Sequence, residues 1–362
     1  MPERVLSLRD VLSSLQARGL LHQVAVGRIG HYLPHARPTT TTPWYVNLLV
    51  AIGAWVAAIC FVAFLGVADL LTFEGGIPLV WGLGFIAGAT VLHFYIKPVF
   101  AAQLALALSM AGHVMALLGT SNLLEDGLYY GILGILPETY FGCALAAEIL
   151  CPVLYRLYSN WLHRFLSCLL VMITATAWVL SMERHHGLHV LVLVETIGIG
   201  LLMTKFHRIR CLRPMAYALA VSLPLTLLLV LAPHGDIETP WWPSKAILTL
   251  GLIWLCQWAA GGPRNLRREP IILAALAAAV LGAVSTPGIL AGVGLIILGY
   301  AQEDRPLLGL GIVFFPAFII AYYYDLDVTL LTKSWILLAS GAILLLGRSA
   351  LGQRPWAREE KA

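Results

Sequence analysis

Apolar segments about 20 residues long recur along this chain from Val46 to Gly347, with only short polar breaks between them. A helix needs about 20 mostly apolar residues to cross the roughly 30 Å hydrocarbon layer of a bilayer. Only 12% of the 362 residues are charged, whereas soluble domains average roughly 25%. The segments therefore predict an all-α fold, a polytopic transmembrane helical bundle.

Twelve spans are predicted, in residues 46–68, 77–96, 98–119, 137–157, 162–182, 188–205, 214–232, 244–260, 270–285, 287–302, 306–323 and 331–347. The ninth and tenth are short for a crossing, and Pro287-Gly288 separates them with a tight turn. The apolar segment 128–136 is too short to span the bilayer. It lies in the interface or extends the fourth helix beyond a kink at Pro137.

The domain organisation follows from these spans. Residues 1–43 form an N-terminal segment, with an amphipathic helix at 5–20 and a Thr/Pro linker, and they carry no cleavable signal peptide. Residues 44–348 form the transmembrane domain, and residues 349–362 form a tail. The six cysteines lie in or beside apolar segments, and we expect them to pack as small hydrophobic side chains.

The loop charges predict that both termini lie in the cytoplasm. With the N-terminus inside, every basic residue except Arg184, Lys245 and Lys333 falls in a cytoplasmic segment. Acidic residues collect in the opposite loops. Cationic loops resist translocation, so this alternation fixes an even number of spans. The same rule accounts for the net charge of +4 without a nucleic-acid partner.

Three polar side chains at membrane depth form a candidate intramembrane site. Glu148 lies near the middle of the fourth span, Glu195 lies in the sixth, and His113 lies in the third, one turn from Ser109. Ionisable groups in a bilayer cost a few kcal/mol, which makes each a functional candidate. They serve either a proton-linked cavity, with Glu148 or Glu195 as the proton carrier, or as hydrogen-bonded structural contacts between helices.

No motif predicts an enzyme or a cofactor. The sequence has no Walker loop, G-x-S-x-G elbow, H-E-x-x-H helix or dinucleotide fingerprint. The segment 183–189 contains an acid and three histidines, but its spacing matches no zinc site, and we favour a solvated loop over a metal site. We therefore predict no cofactor and no metal, and we favour a non-enzymatic role.

The last hairpin contains a distinctive run, in which Tyr324, Asp325, Asp327 and Lys333 are candidate docking residues at the outer interface. They form either a docking surface for a periplasmic partner or a capped, membrane-anchored turn. The tyrosine cluster, the run Leu-x-x-Thr-Leu-Leu-x-Lys-Ser and the closing helix, within residues 287–348, resemble a family of bacterial polytopic inner-membrane proteins known only as a domain of unknown function. The resemblance implies a multi-pass protein of the bacterial inner membrane and a small membrane-anchored partner with a GDYxxLxY motif. It implies no activity and no catalytic residue.

These observations support three functional hypotheses for a chain embedded in the lipid bilayer. The first is a transporter or flippase-like carrier, which fits twelve spans, glycine-rich helices and intramembrane acids. The alternative is a non-enzymatic scaffold or assembly factor that works with the periplasmic partner. A weaker third hypothesis is an enzyme acting on lipid-linked substrates through outer acids at Glu125-Asp126 or Asp325-Leu326-Asp327.

Overall fold

The computed structural model describes residues 43–95, 99–128, 138–181, 185–231, 241–261 and 269–325, together with residues 331, 334 and 338. These residues form eleven helices and no β-strand, as the all-α prediction requires. The predicted amphipathic helix at 5–20, the segment 129–136, most of the twelfth span and the tail lie outside the described residues.

The helices follow the predicted spans to within a few residues, except that the third is longer. They are α1 (Trp44–Val67), α2 (Ile77–Tyr95), α3 (Val99–Leu128), α4 (Glu138–Leu157), α5 (Trp161–Ser181), α6 (His185–Thr204), α7 (Arg213–Leu231), α8 (Trp242–Ala259), α9 (Glu269–Val284), α10 (Pro287–Ala301) and α11 (Arg305–Asp325). The predicted break before Pro287 is present. Thr286 caps α10 in an extended conformation, and Pro287 opens the helix, where its missing N–H has no cost.

Seven of the described helices are long and apolar enough to cross a membrane, namely α1 to α6 and α11. Shorter apolar segments lie in α7, α9 and α10. Large apolar side chains such as Leu49, Val80 and Ile149 are exposed on the surface. An exposed apolar surface of this extent suits lipid and would be a liability in water. The described structure is therefore that of a multi-pass membrane protein.

The chain divides into two compact units, residues 1–53 and residues 54–362. The structure describes only residues 43–53 of the first unit. Residues 44–53 form the start of α1. The second unit contains the rest of α1 and helices α2 to α11. Its largest hydrophobic core joins helices α6 to α11 and includes the fully buried Leu307 and Phe318.

Helices α2 and α3 pack at backbone distance. An added Cβ on Gly82 would lie 2.5 Å from the backbone nitrogen of Ala116, and one on Gly119 would lie 2.1 Å from that of Leu79. Glycine is therefore the only residue that this approach accommodates at either position without displacement of the neighbouring helix. By contrast, Gly84 and Gly88 face open space. The sequence predicts glycine-rich helices, and the structure shows that Gly82, not Gly84 or Gly88, is the glycine of α2 that contacts α3.

Candidate functional site

Glu195 lies in the hydrophobic core of the second unit and is fully buried. It occupies the same stripe of α6 as the buried residues Leu188, Val192 and Ile199, which recur at helical spacing. An acidic side chain thus takes a position at which the helix otherwise places aliphatic side chains. The membrane depth predicted for Glu195 from the sequence stays a prediction.

One oxygen of the Glu195 carboxyl group is hydrogen-bonded, and the other is not. The hydroxyl of Ser222 on α7 lies 2.6 Å from Oε1 and donates to it. The same hydroxyl lies 3.1 Å from the carbonyl of Leu219, so its single proton serves the shorter contact at the expense of the longer one. Oε2 is buried with no hydrogen-bond partner in the described part of the chain. An unsatisfied buried oxygen costs roughly 1–3 kcal/mol, which marks the group as a candidate for function.

A second polar contact lies one turn further along α7. The hydroxyl of Thr226 lies 3.1 Å from that of Thr176 on α5, and both side chains are buried. Thr176 donates its own proton to the carbonyl of Met172, so Thr226 is the donor between the two threonines. Ser222 and Thr226 therefore connect α7 to α6 on one side and to α5 on the other. We call Thr176, Glu195, Ser222 and Thr226 the carboxyl cluster.

His113 on α3 is fully buried, and neither ring nitrogen has a hydrogen-bond partner among the described residues. The sequence placed Ser109 one turn away as its neighbour. In the structure the hydroxyl of Ser109 instead lies 2.9 Å from Nε2 of His163 on α5. His113 and His93 both lie close enough to His163 to interact with it electrostatically. Three histidines from separate helices thus gather in one region of the bundle.

Tyr158 completes this group of histidines. Its ring stacks on that of His163 with centroids 4.3 Å apart and planes at 9°. Its ring centroid also lies 5.1 Å from that of His93, and its hydroxyl lies 3.2 Å from that of Thr90 on α2. We call His93, Ser109, His113, Tyr158 and His163 the histidine cluster. No group of three potential metal ligands occurs in the parts of the chain that the structure describes.

The structure separates the two predicted acids. Glu148 is exposed on α4, although Ala144 and Cys151, which share a helical stripe with it, are buried. Glu148 lies at the edge of that stripe, where the buried face gives way to the exposed residues Leu145 and Ile149. It therefore does not share the environment of Glu195.

The candidate docking residues are only partly described. Tyr324 lies at the end of α11, is 78% exposed, and contacts Tyr323 edge-on with ring centroids 5.8 Å apart. The side chain of Asp325 and the whole of Asp327 and Lys333 lie outside the described residues.

The histidine-rich segment 183–189 is partly helical, which corrects the prediction of a loop. Helix α6 begins at His185, three residues before the predicted start. His189 is buried, and its Nδ1 lies 2.7 Å from the hydroxyl of Ser244 on α8. His186, by contrast, is exposed. His186 lies in the first turn of α6, whereas His189 contacts α8, so the two histidines have different surroundings.

Comparison with known proteins identifies the family. The family described as "Domain of unknown function (DUF4401)" matches residues 43–354. The chain belongs to this DUF4401 family. No curated protein and no solved structure matches it significantly.

The family match covers every residue of the carboxyl and histidine clusters of this DUF4401 chain. Sequence reasoning had identified Glu195, His113 and Ser109 but not their partners. Ser222, Thr226 and Thr176 are hydroxyl residues inside apolar helices, and such residues commonly bond to a neighbouring helix. His163 lies beside Arg164, and in the sequence it reads as part of a cationic loop.

Proposed function

We propose that this DUF4401 protein is a carrier of the bacterial inner membrane, flippase-like or transporting a small solute, in which Glu195 binds a proton. The supporting observation is the fully buried Glu195 carboxyl group, with one oxygen bonded to Ser222 and the other without a partner. A buried acid that can gain and lose a proton changes its helix contacts as it does so. Such groups mark proton relays in pumps and transporters.

A small cavity beside this pair suggests where the carrier opens. It measures about 70 Å³, is mostly apolar, and lies between α6, α7, α8 and α10. Thr196 and Leu223, which line it, directly follow Glu195 and Ser222 in the chain. Separation of α6 from α8 at this point would bring Glu195 to the cavity wall. The apolar lining favours a substrate with an apolar portion over a fully hydrophilic one.

The proposal includes the predicted topology of twelve spans with both termini in the cytoplasm. The charge alternation of the loops supports it, because almost all basic residues then lie on one side. Helices α7 to α10, which are not among the seven long apolar helices, count as crossings in this arrangement.

Reconstitution tests the carrier. The full chain is placed in liposomes with the pH-sensitive dye pyranine inside. The liposomes are then exposed to organic acids, amphipathic amines and lysophospholipids. We expect at least one class of solute to drive proton movement in the wild type and in the Glu148→Gln control, but not in Glu195→Gln. Both variants remove one intramembrane acid, but only Glu195 is buried. Coupled proton movement that survives in Glu195→Gln contradicts the proposal.

Chemical labelling gives a second test that needs no known substrate. Dicyclohexylcarbodiimide modifies protonated carboxyl groups that it reaches from the lipid phase. If α6 and α8 separate during a transport cycle, Glu195 becomes modified over time, and mass spectrometry of the α6 peptide detects the adduct. The absence of modification under all conditions would show that the bundle stays closed around Glu195, as a purely structural hydrogen bond predicts.

A scaffold role remains the second candidate, because Tyr324 is largely exposed at the end of α11. In this proposal the segment 324–333 docks a small membrane-anchored periplasmic protein. Neutralising Asp325 and Asp327 together should then reduce co-purification of that partner, whereas Glu195→Gln should leave it unchanged. The opposite pattern favours the carrier.

A further inference from the structure

A polar cavity of about 240 Å³ lies at the end of the bundle where α6 stops and α7 begins. Its walls include Arg213, His207, Tyr217 and Asp304, with Trp258 as an aromatic wall. None of these residues belongs to the carboxyl or histidine cluster. The cavity is therefore separate from the Glu195 site of the proposed carrier.

The loop between α6 and α7 supplies one wall. Nδ1 of His207 donates to the carbonyl of Thr204 at 3.2 Å, which directs the proton of a neutral ring to Nδ1. Nε of Arg213 donates to the carbonyl of His207 at 3.2 Å. That bond fixes the guanidinium group through one nitrogen, and its two terminal nitrogens make no hydrogen bond to the residues that the structure describes. The loop is thus held by its own backbone carbonyls, and His207 and Arg213 line the cavity.

The opposite wall contains an acid whose oxygens are already used. Asp304 caps α11 by accepting from the backbone N–H of Leu307 at 3.2 Å through Oδ1, and its Oδ2 accepts from the hydroxyl of Tyr217. Gln302 donates to the carbonyl of Met203 at 2.6 Å and joins this wall to the end of α6. Asp304 therefore serves as a structural group that connects α7 to the start of α11.

The charges around the cavity favour an anion. Arg213 and Asp304 line the cavity, and their chain neighbours add an excess of cations. Lys205, Arg208 and Arg210 lie in the loop that contains His207, and Glu303 and Arg305 flank Asp304. Arg213 is also the first residue of α7, where a cation lies against the positive end of the helix dipole. The first turn of α7 contains no acidic residue to compensate. A bound anion would relieve this unfavourable arrangement.

We propose that this cavity binds a phosphate group carried by an ester. The planar guanidinium of Arg213 presents paired donors that match two phosphate oxygens, and charge-assisted bonds of this type are the strongest that proteins form. His207 lies beside Arg213 in the lining of the cavity. Trp258 and Leu202 provide an apolar wall for the glycerol and first methylene groups of a lipid. A phospholipid headgroup and a free phosphate monoester share this chemistry.

Native mass spectrometry of the full chain tests the proposal. The protein is released from nanodiscs that contain phosphatidylglycerol, and lipid adducts are counted for the wild type, Arg213→Gln and Arg210→Gln. Arg210 is an exposed cation of the same loop that does not line the cavity, so its variant loses the same charge. We expect Arg213→Gln to lower the occupancy of the tightest adduct about tenfold and Arg210→Gln to leave it within about twofold of wild type.

Competition by glycerol 3-phosphate distinguishes the two sources of the ligand. Displacement of the adduct at millimolar concentration identifies a soluble phosphate ester as a ligand, and no displacement identifies the membrane headgroup; either result supports the site when Arg213→Gln abolishes binding. Arg213→Lys guards against misfolding, because it retains the charge and should bind at an intermediate level. Equal losses in Arg213→Gln and Arg210→Gln would show diffuse attraction by the loop and overturn the proposal. So would no loss in either variant.

Discussion

The hydroxyl of Ser109 on α3 and Nε2 of His163 on α5 lie 2.9 Å apart inside the bundle. Their residues are 54 positions apart in the chain. The bond fixes the imidazole ring, which also stacks on Tyr158. It thereby holds α5 against α3 at a buried position, where an unmade hydrogen bond is costly.

Ser109→Ala should destabilise the protein by about 1–2 kcal/mol, because it leaves a buried ring nitrogen without its partner. Thermal or SDS-induced unfolding in mild detergent measures the change. Ser159→Ala serves as the control, since Ser159 is exposed in the short connection between α4 and α5. Equal stabilities of the two variants would show that the Ser109 contact contributes nothing.

The two threonines of the carboxyl cluster should be energetically coupled. Hydrogen bonds between membrane helices average about 0.6 kcal/mol and reach about 1.7 kcal/mol. A double-mutant cycle with Thr176→Val and Thr226→Val should give a coupling energy in this range. Valine preserves shape and removes the hydroxyl, so packing changes little. A coupling energy of zero would mean that the two hydroxyls do not interact.

Gly119→Ala and Gly82→Ala should each lower stability by roughly 1–3 kcal/mol, because the new methyl group overlaps the backbone of the facing helix. Gly88→Ala is the matched control on α2. Its methyl group would meet open space, and alanine favours a helix by up to about 1 kcal/mol over glycine. The two kinds of variant should therefore shift the unfolding transition in opposite directions. Shifts in the same direction would contradict the close approach of α2 and α3.

The thiols of Cys151 and Cys168 lie 4.0 Å apart between α4 and α5. Oxidation with copper phenanthroline should join them in a chain whose other cysteines are serine. Loss of reaction with a polyethylene-glycol maleimide after denaturation measures the cross-link. A chain that keeps Cys60 and Cys168 is the control, because Cys60 is exposed on α1. Persistent labelling of both thiols in the first chain would show that the two helices do not pack as described.

Cysteine accessibility in whole cells checks the topology. A cysteine at Glu74, between α1 and α2, should react with a membrane-impermeant maleimide. One at Arg208, between α6 and α7, should react only after the cells are permeabilised. The loop charges predict opposite sides for these two positions. The reverse pattern would invert the orientation and place the phosphate cavity outside.

Helix positions could be predicted from the sequence because hydropathy and proline mark them locally. The α2 helix runs from Ile77 to Tyr95, against a prediction of 77–96. The starts of α10 and α6 illustrate the contrast. Pro287 marks the start of α10 in the sequence. No proline marks the start of α6 at His185, and the prediction placed that start three residues too late.

The side of each helix that faces the protein interior could not be predicted in the same way. In a membrane bundle both the lipid-facing and the buried side of a helix are apolar. The pattern of apolar residues therefore does not distinguish one side from the other. Glu148 and Glu195 therefore looked equivalent in the sequence, although one is exposed and the other is buried. The bond from Ser222 to Glu195 depends on how α6 and α7 are rotated, which no local pattern encodes.

The glycine contacts between α2 and α3 also bear on how the protein is made. The two helices are consecutive and joined by a short connection, so their contacting surfaces leave the ribosome within seconds of each other. If the two helices pack together as soon as both are inserted, their polar atoms are exposed to lipid for a shorter time. Asn122, near the far end of α3, donates to the carbonyl of Phe73 at 2.8 Å and closes the hairpin onto the segment before α2. Biogenesis of the remaining helices can thus begin from an assembled pair.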